Sequence, residues 1–256
     1  MLAKILEKKR QEVEISKQER PLSTLENEVT AASHEFYEAI ERAQWVLIAE
    51  CKKASPLKGP LSSCDIATLA RVYGENGATA LSVLTDLHFS GTLADIQEAR
   101  QACKLPVLRK DFIVDEYQIV EARAAGAHAI LLIASSLTDQ QITDYLAKAD
   151  ELGMDCLVEV HDREELDRVQ LTSAKIIGIN NRDLKTFQTS VEKTFELLPF
   201  CLPGRMIISE SGIQSAEDAI RLKTAGVRGI LVGESLVTAE DIGQKVRELS
   251  LTQVGG

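Results

Sequence analysis

The sequence predicts a (β/α)8 (TIM) barrel preceded by an N-terminal helical extension, and three observations carry that prediction. Eight short apolar runs follow one another from residue 46 onward, helical segments with polar starts separate them, and four of those segments stop at a glycine just before the next run. Near-continuous apolar runs of about five residues, alternating with helices, are the pattern of parallel strands buried on both faces. Eight such units in about 210 residues match a closed barrel. An open doubly wound sheet is the alternative, and the GxGxxG fingerprint that usually follows its first strand is absent.

The extension comes first. Residues 1–18 carry Leu2, Ile5, Leu6 and Val13 among charges, the pattern of a solvent-facing amphipathic helix with one apolar stripe. Pro21 ends it. A second helix is expected from Ser33, as N-cap, through Phe36 and Ile40 to Gln44. These segments hold too little apolar material to fold alone. Residues 1–45 therefore read as an extension packed on the barrel, and 1–256 as a single barrel domain.

The eight runs are Val46–Cys51, Thr79–Leu84, Pro106–Leu108, Ala129–Ile133, Cys156–Val160, Lys175–Ile179, Met206–Ser209 and Gly229–Val232. Thr92 with Asp95, Thr138 with Gln141, Asp162 with Glu165, Ser215 with Asp218 and Thr238 with Asp241 have capping-box spacing at the helix starts. A further helix is entered at Asp115. Gly77, Gly126, Gly153 and Gly226 suit the left-handed position that closes a helix.

Composition narrows the partners. A net charge of −10 would repel a phosphate backbone over most of the surface, so nucleic acid is excluded as the main partner. No run reaches the ~20 apolar residues of a membrane span, and the N-terminus lacks the apolar stretch and cleavage site of a signal peptide. Cys51, Cys64, Cys103, Cys156 and Cys201 are scattered, odd in number and without CxxC spacing; Cys51 and Cys156 fall inside predicted strands as buried small hydrophobes, and a reducing cytoplasm is expected. His34, His88, His128 and His161 show no metal-ligand spacing and read as surface or loop residues; no metal and no cofactor are expected.

A barrel of this kind carries its chemistry at the C-terminal ends of its strands. Glu50 and Lys52 end the first run, with Lys53, Ser55 and Pro56 just after, and Lys110 follows the third. Glu159 lies near the end of the fifth with His161 behind it, and Asn180-Asn181-Arg182 closes the sixth. Glu210-Ser211-Gly212 follows the seventh and Gly233-Glu234-Ser235 the eighth. Taken singly, each is what a wet loop would hold. Together the cations, carboxylates and amide aimed at one mouth make a charge-balanced acid/base site. The glycine-bearing turns after the seventh and eighth runs suit a phosphate, held by backbone N–H groups.

The same residues carry a resemblance. Ile48-Ala-Glu-Cys-Lys-Lys-Ala-Ser-Pro-Leu-Lys-Gly59 resembles the first-strand signature of the indole-3-glycerol phosphate synthase family, and Leu108-Arg-Lys-Asp-Phe-Ile-Val-Asp-Glu-Tyr-Gln-Ile119 its third-strand motif. Leu84-Thr-Asp with Phe89 and Gly91, Glu159-Val, Gly178-Ile-Asn-Asn-Arg-Asp-Leu184, Ser209-Glu-Ser-Gly-Ile213 and Leu231-Val-Gly-Glu-Ser235 extend it in order along the chain. The resemblance implies ring closure, decarboxylation and dehydration of 1-(2-carboxyphenylamino)-1-deoxyribulose 5-phosphate, a step of tryptophan biosynthesis. It implies Lys110 as general acid, Lys52 as the cation for the substrate carboxylate, and Glu159 as general base. Glu50, Asn180 and Glu210 would orient substrate hydroxyls and fix the lysines. Arg182, Ser211, Gly212, Gly233, Glu234 and Ser235 would hold the phosphate.

Pro56, Phe89, Phe112, Leu131, Leu184 and Leu231 would wall the aromatic ring, with core packing the alternative for the last two leucines of the barrel interior, Leu131 and Leu231. Cys51, Leu57 and Ser90 depart from the family's usual residues without removing a catalytic group, and alternation should turn Cys51 away from the site. The chain stops soon after its eighth helix, so no fused isomerase domain is expected; a monomer is expected as well. Two other readings stay open on sequence: a sibling phosphate-binding barrel of the same pathway, and a non-catalytic sugar-phosphate-binding barrel.

Overall fold

The computed structural model describes residues 2–30, 32–55, 59–60, 64–183 and 188–252, without the side chains of Ser55 and Pro60. Eight parallel strands close into a barrel: β1 (Val46–Cys51), β2 (Ala80–Leu84), β3 (Val107–Lys110), β4 (Ala129–Ile133), β5 (Asp155–Val160), β6 (Ile176–Asn180), β7 (Met206–Glu210) and β8 (Gly229–Val232). Each pairs with the next in chain order, and β8 returns to β1 through Val46 beside Gly229 and Ile48 beside Leu231. The strands fall where the apolar runs predict them. The third is longer than its apolar run, because Arg109 and Lys110 stay in the ladder opposite Val83 and Leu84.

Period-two alternation divides the strands cleanly. One phase, including Val46, Ile48, Ala80, Leu108, Leu131, Leu157, Ile176, Ile208 and Leu231, packs inside the barrel. The other phase, including Leu47, Cys51, Leu81, Ile130, Val158, Ile177 and Ile230, packs outward under the helices. Cys51 is therefore turned away from the mouth, as expected.

The helices are α1 (Leu2–Glu19), α2 (Leu22–Glu28), α3 (Glu35–Arg42), α4 (Ile66–Glu75), α5 (Ala94–Ala102), α6 (Tyr117–Ala124), α7 (Asp139–Glu151), α8 (Arg163–Gln170), α9 (Glu192–Leu197), α10 (Ala216–Thr224), α11 (Glu234–Val237) and α12 (Ile242–Leu249). Thr138 with Gln141 and Ser215 with Asp218 form reciprocal capping boxes. Asp162 caps α8, Asp115 accepts the Tyr117 N–H at the start of α6, and the Thr92 N–H donates to Asp95. The expected box at Thr238 is not formed. Asp241, three residues on, caps α12 by accepting the Gln244 N–H, while the Thr238 hydroxyl donates back to the Glu234 carbonyl. Gly77, Gly126, Gly153 and Gly226 all have positive φ, which a residue with a Cβ adopts only at a cost.

The extension departs from expectation in detail. Ser33 caps nothing; α3 begins after His34, which itself holds a left-handed conformation, and a short α2 follows Pro21. Phe36 and Ile40 of α3 are fully buried and plug the N-terminal end of the barrel beside Val46, Ala80 and Ala129. Asp155 of β5 accepts the Tyr37 N–H and pairs with His34, and Arg228 donates to the Ile40 carbonyl, so both ends of α3 are tied down. Leu6, Val13 and Leu25 pack on Val114, Tyr117 and Val120.

Candidate active site

The inward phase that fills the barrel with Ile48, Leu108, Leu157, Ile176 and Ile208 delivers Glu50, Lys110, Glu159 and Glu210 to its C-terminal end two residues further on, and Asn180 four residues on, past Gly178. Alternation alone thus brings five distant residues to one mouth. Lys110 is at the centre. Its Nζ donates to Glu210 Oε2 at 2.8 Å and to Glu159 Oε2 at 3.2 Å. Lys52 Nζ lies 3.6 Å from Glu50 Oε1 and 5.4 Å from the centre of the Phe89 ring. Asn180 lies beside Glu159 and helps hold its carboxylate ionised, and its Oδ1 accepts the Arg182 N–H at 3.0 Å.

The charges are strongly coupled. Burial works against the Lys110 ammonium, but Glu210, Glu159 and Glu50 outweigh it and hold the amine above its ordinary value. Burial alone would raise the Glu159 carboxyl; Lys110 and His161 overcome it and hold this group well below the carboxylate range. Glu210 goes the other way. Its burial dominates over Lys110, with Glu159 and Glu50 adding repulsion, and its pKa is pushed up to about 7. Two carboxyls sharing one lysine are thereby driven apart in proton affinity, the signature of divided acid/base roles.

Two glycines make room for this arrangement. A Cβ on Gly178 would stand 2.0 Å from Glu210 Oε1, and one on Gly233 would stand 2.4 Å from Glu50 Oε1. Gly233, expected at the phosphate end, thus also seats Glu50. Gly178→Ala is expected to displace the Glu210 carboxylate from Lys110 and to lower kcat by about 10²-fold, the cost of a ~1 Å misplacement. Its thermal unfolding midpoint should move by only a few degrees, because the neighbour that must yield is a side-chain tip. Wild-type kcat in Gly178→Ala would contradict that reading.

The residues expected at the phosphate end cluster as well. Ser211 and Gly212 form a turn with φ of 69° and 79°, held by Asn181, whose Nδ2 donates to the Ser211 carbonyl and to Ser209 Oγ. The Ser235 hydroxyl donates to the Ile213 carbonyl, linking this turn to the Gly233–Ser235 turn that opens α11. Arg182 is half-buried beside them, bridged to Thr189. Leu131 and Leu231 are buried inside the barrel beneath the mouth. Phe112 joins that interior cluster to the one under α1. Pro56 and Leu184 lie outside the described residues, as does the Ser55 side chain.

Several expectations are corrected. His161 is no surface residue: it is buried, with Nε2 3.1 Å from Glu159 Oε1 and Nδ1 3.1 Å from Glu165 Oε2. His128 is buried too and accepts the Val107 N–H. Arg109 and Asp111, which flank Lys110, point outward into a buried network with Thr85, Glu121 and the Gln118 carbonyl. Into that network α1 inserts Lys9, whose Nζ lies 2.7 Å from Asp86 and 2.9 Å from Asp111. The predicted apolar stripe of α1 therefore carries a buried cation. Asp86 also accepts the His88 N–H, fixing the turn that bears Phe89. Among the described residues, no group of three potential ligands is placed to hold a metal ion.

Comparison with known proteins agrees with the barrel fold. In solved structures, the 3-hexulose-6-phosphate synthase of Salmonella typhimurium superposes with a TM-score of 0.64 at 14% identity, covering 82% of this chain and 98% of that one. A chain of the Pyrococcus furiosus tryptophan synthase complex gives 0.58 at 15%, covering 80% and 97%. At such identities these likenesses speak to the barrel alone. Sequence relatives go further. A protein of Laribacter hongkongensis named indole-3-glycerol phosphate synthase is 45% identical over 97% of this chain and 98% of its own length. A protein of that name from Desulforamulus reducens is 47% identical over 97% and 96%. The family model described as indole-3-glycerol phosphate synthase matches residues 2–249, and the chain belongs to that family.

Proposed function

We propose that the barrel mouth closes, decarboxylates and dehydrates 1-(2-carboxyphenylamino)-1-deoxyribulose 5-phosphate to indole-3-glycerol phosphate. The observation that carries this reading is Lys110, buried and held between Glu159 and Glu210 on the inward strand phase. Ring closure puts negative charge on the ketone oxygen as the aromatic carbon attacks. An alkoxide is more basic than an amine, so Lys110 can deliver its proton there even with its raised affinity. Lys52, beside the Phe89 ring, is the cation for the substrate carboxylate, which keeps that group over the reacting ring until carbon dioxide leaves.

Proton loss from Lys110 then changes its neighbours. Glu159 no longer faces an ammonium, its basicity rises, and it becomes able to take the proton that must go as water departs. Glu210 and Glu50 hold the two lysines, and Asn180 orients Glu159. The linked Ser211–Gly212 and Gly233–Ser235 turns, with Arg182 beside them, suit the phosphate through backbone N–H groups. Phe89, Phe112, Leu131 and Leu231 supply apolar walls for the aromatic ring.

Every group invoked belongs to one chain, which supports action as a monomer. Cys51 and Cys156 are buried and in no disulfide, which supports a reducing compartment, the cytoplasm. Incubation with the substrate should yield one carbon dioxide per fluorescent indole product. Substrate binding by folded protein without turnover would instead favour a non-catalytic barrel.

A further inference from the structure

Glu159 has a second charged neighbour. Its Oε2 faces Lys110, and its Oε1 faces His161 Nε2 at 3.1 Å. The Nε2–H is not aimed along that line, so the contact is an ion pair before it is a hydrogen bond. The other face of the imidazole is held firmly. Glu165 Oε2 lies 3.1 Å from Nδ1 and also accepts the His161 backbone N–H at 2.8 Å. Glu165 is fixed in turn, since its own N–H is capped by Asp162 at the start of α8. A chain of Glu165, His161 and Glu159 therefore runs from the helix into the mouth, almost wholly shielded from water.

We infer that His161, held by Glu165, is a positioning residue that orients Glu159 and keeps it ionised when Lys110 becomes neutral. The inference rests on Glu159 being the base. While Lys110 is protonated, either cation alone could stabilise the Glu159 carboxylate. Once Lys110 has delivered its proton, a buried carboxylate beside Glu210 would tend to take up any proton available. The imidazolium is then the remaining positive group against Glu159. The groups facing His161 are Glu159 of β5, the strand that His161 directly follows, and Glu165 on α8, with Lys110 of β3 beyond Glu159. Burial opposes its protonation, yet the two carboxylates raise its pKa to about 9, so it is charged at neutral pH.

The signs of the test follow. Removing a cation raises the pKa of the neighbouring carboxyl, so the acid limb of the kcat profile should move up by about one pH unit in His161→Gln. That variant keeps an amide donor, and kcat at the optimum should fall about 10-fold, with KM changed less than about 3-fold. His161→Leu, which also loses the donor, should fall further. Glu165→Gln acts through His161, so it should cost little in the His161→Gln background. Nitrogen-15 NMR of the substrate-free protein gives a reading that needs no active variant. The His161 imidazole should titrate near 9, and its pKa should drop in both Glu159→Gln and Glu165→Gln. An imidazole titrating near 6.5 and indifferent to both substitutions would overturn the inference, as would an unmoved acid limb in folded His161→Gln. Undiminished kcat in Glu159→Gln is a different failure: it would remove the base assignment while leaving the ion-pair chain in place.

Discussion

Lys110→Ala is expected to lower kcat by at least ~10²-fold, the scale of lost general acid catalysis, while KM changes much less. The protein should still fold, although two buried carboxylates lose their shared partner. Glu210 already has a pKa of about 7, raised by burial, and without Lys110 it can become neutral by taking a proton. Glu159 keeps His161. Lys110→Arg should not restore activity, because the planar guanidinium cannot deliver a proton as an ammonium does. Steady-state kinetics with the phosphorylated substrate decides the matter, and near-full kcat in Lys110→Ala would remove the assigned role.

The second large effect lies away from the reacting atoms. Lys9→Met should destabilise the fold by roughly 3–5 kcal/mol, the cost of breaking a buried ion pair on one side. Burial disfavours the Lys9 ammonium, but Asp111 and Asp86 raise its pKa well above the ordinary lysine value, so the pair is charged. Asp111 would retain Arg109, Thr85 and the Phe112 N–H. Asp86 would lose the only lysine or arginine that the described residues offer it and keep the His88 ring contact. Adding Asp86→Asn to Lys9→Met should recover part of the loss, a coupling that denaturant titration of the four variants would measure. A loss within about 0.5 kcal/mol, ordinary for an exposed lysine, would show that α1 is not anchored this way. KM should rise in Lys9→Met as well, since Asp86 fixes the turn bearing Phe89.

The two cases show what was legible in the sequence. Strand positions, the inward set and the mouth follow from period two and from glycine stops, signals that depend only on local burial. Lys110, Glu159 and Glu210 could be named because the strand ends are where the fold concentrates chemistry. His161 carried the same signal, two residues after Glu159 on the inward phase. Metal spacing, whose absence groups it with the other histidines, says nothing about ion pairing. Gly178 is small where its inward neighbours Ile176 and Asn180 are large, yet its reason is a carboxylate from β7, invisible along β6. Lys9 is harder still. A lysine among the charges of an amphipathic helix looks solvated, and its partners lie roughly eighty and a hundred residues away.

The account centres on Lys110 meeting the ketone oxygen while the phosphate rests on the paired turns. A crystal structure with a bound product analogue tests that directly. It should place the phosphate on backbone N–H groups of Ser211, Gly212, Gly233 and Glu234, and Lys110 Nζ within about 3 Å of the carbon framework's former ketone position, hydrogen-bond reach for a general acid. Lys52 in that place, with Lys110 still bound to both Glu159 and Glu210 and turned from the ligand, would contradict it.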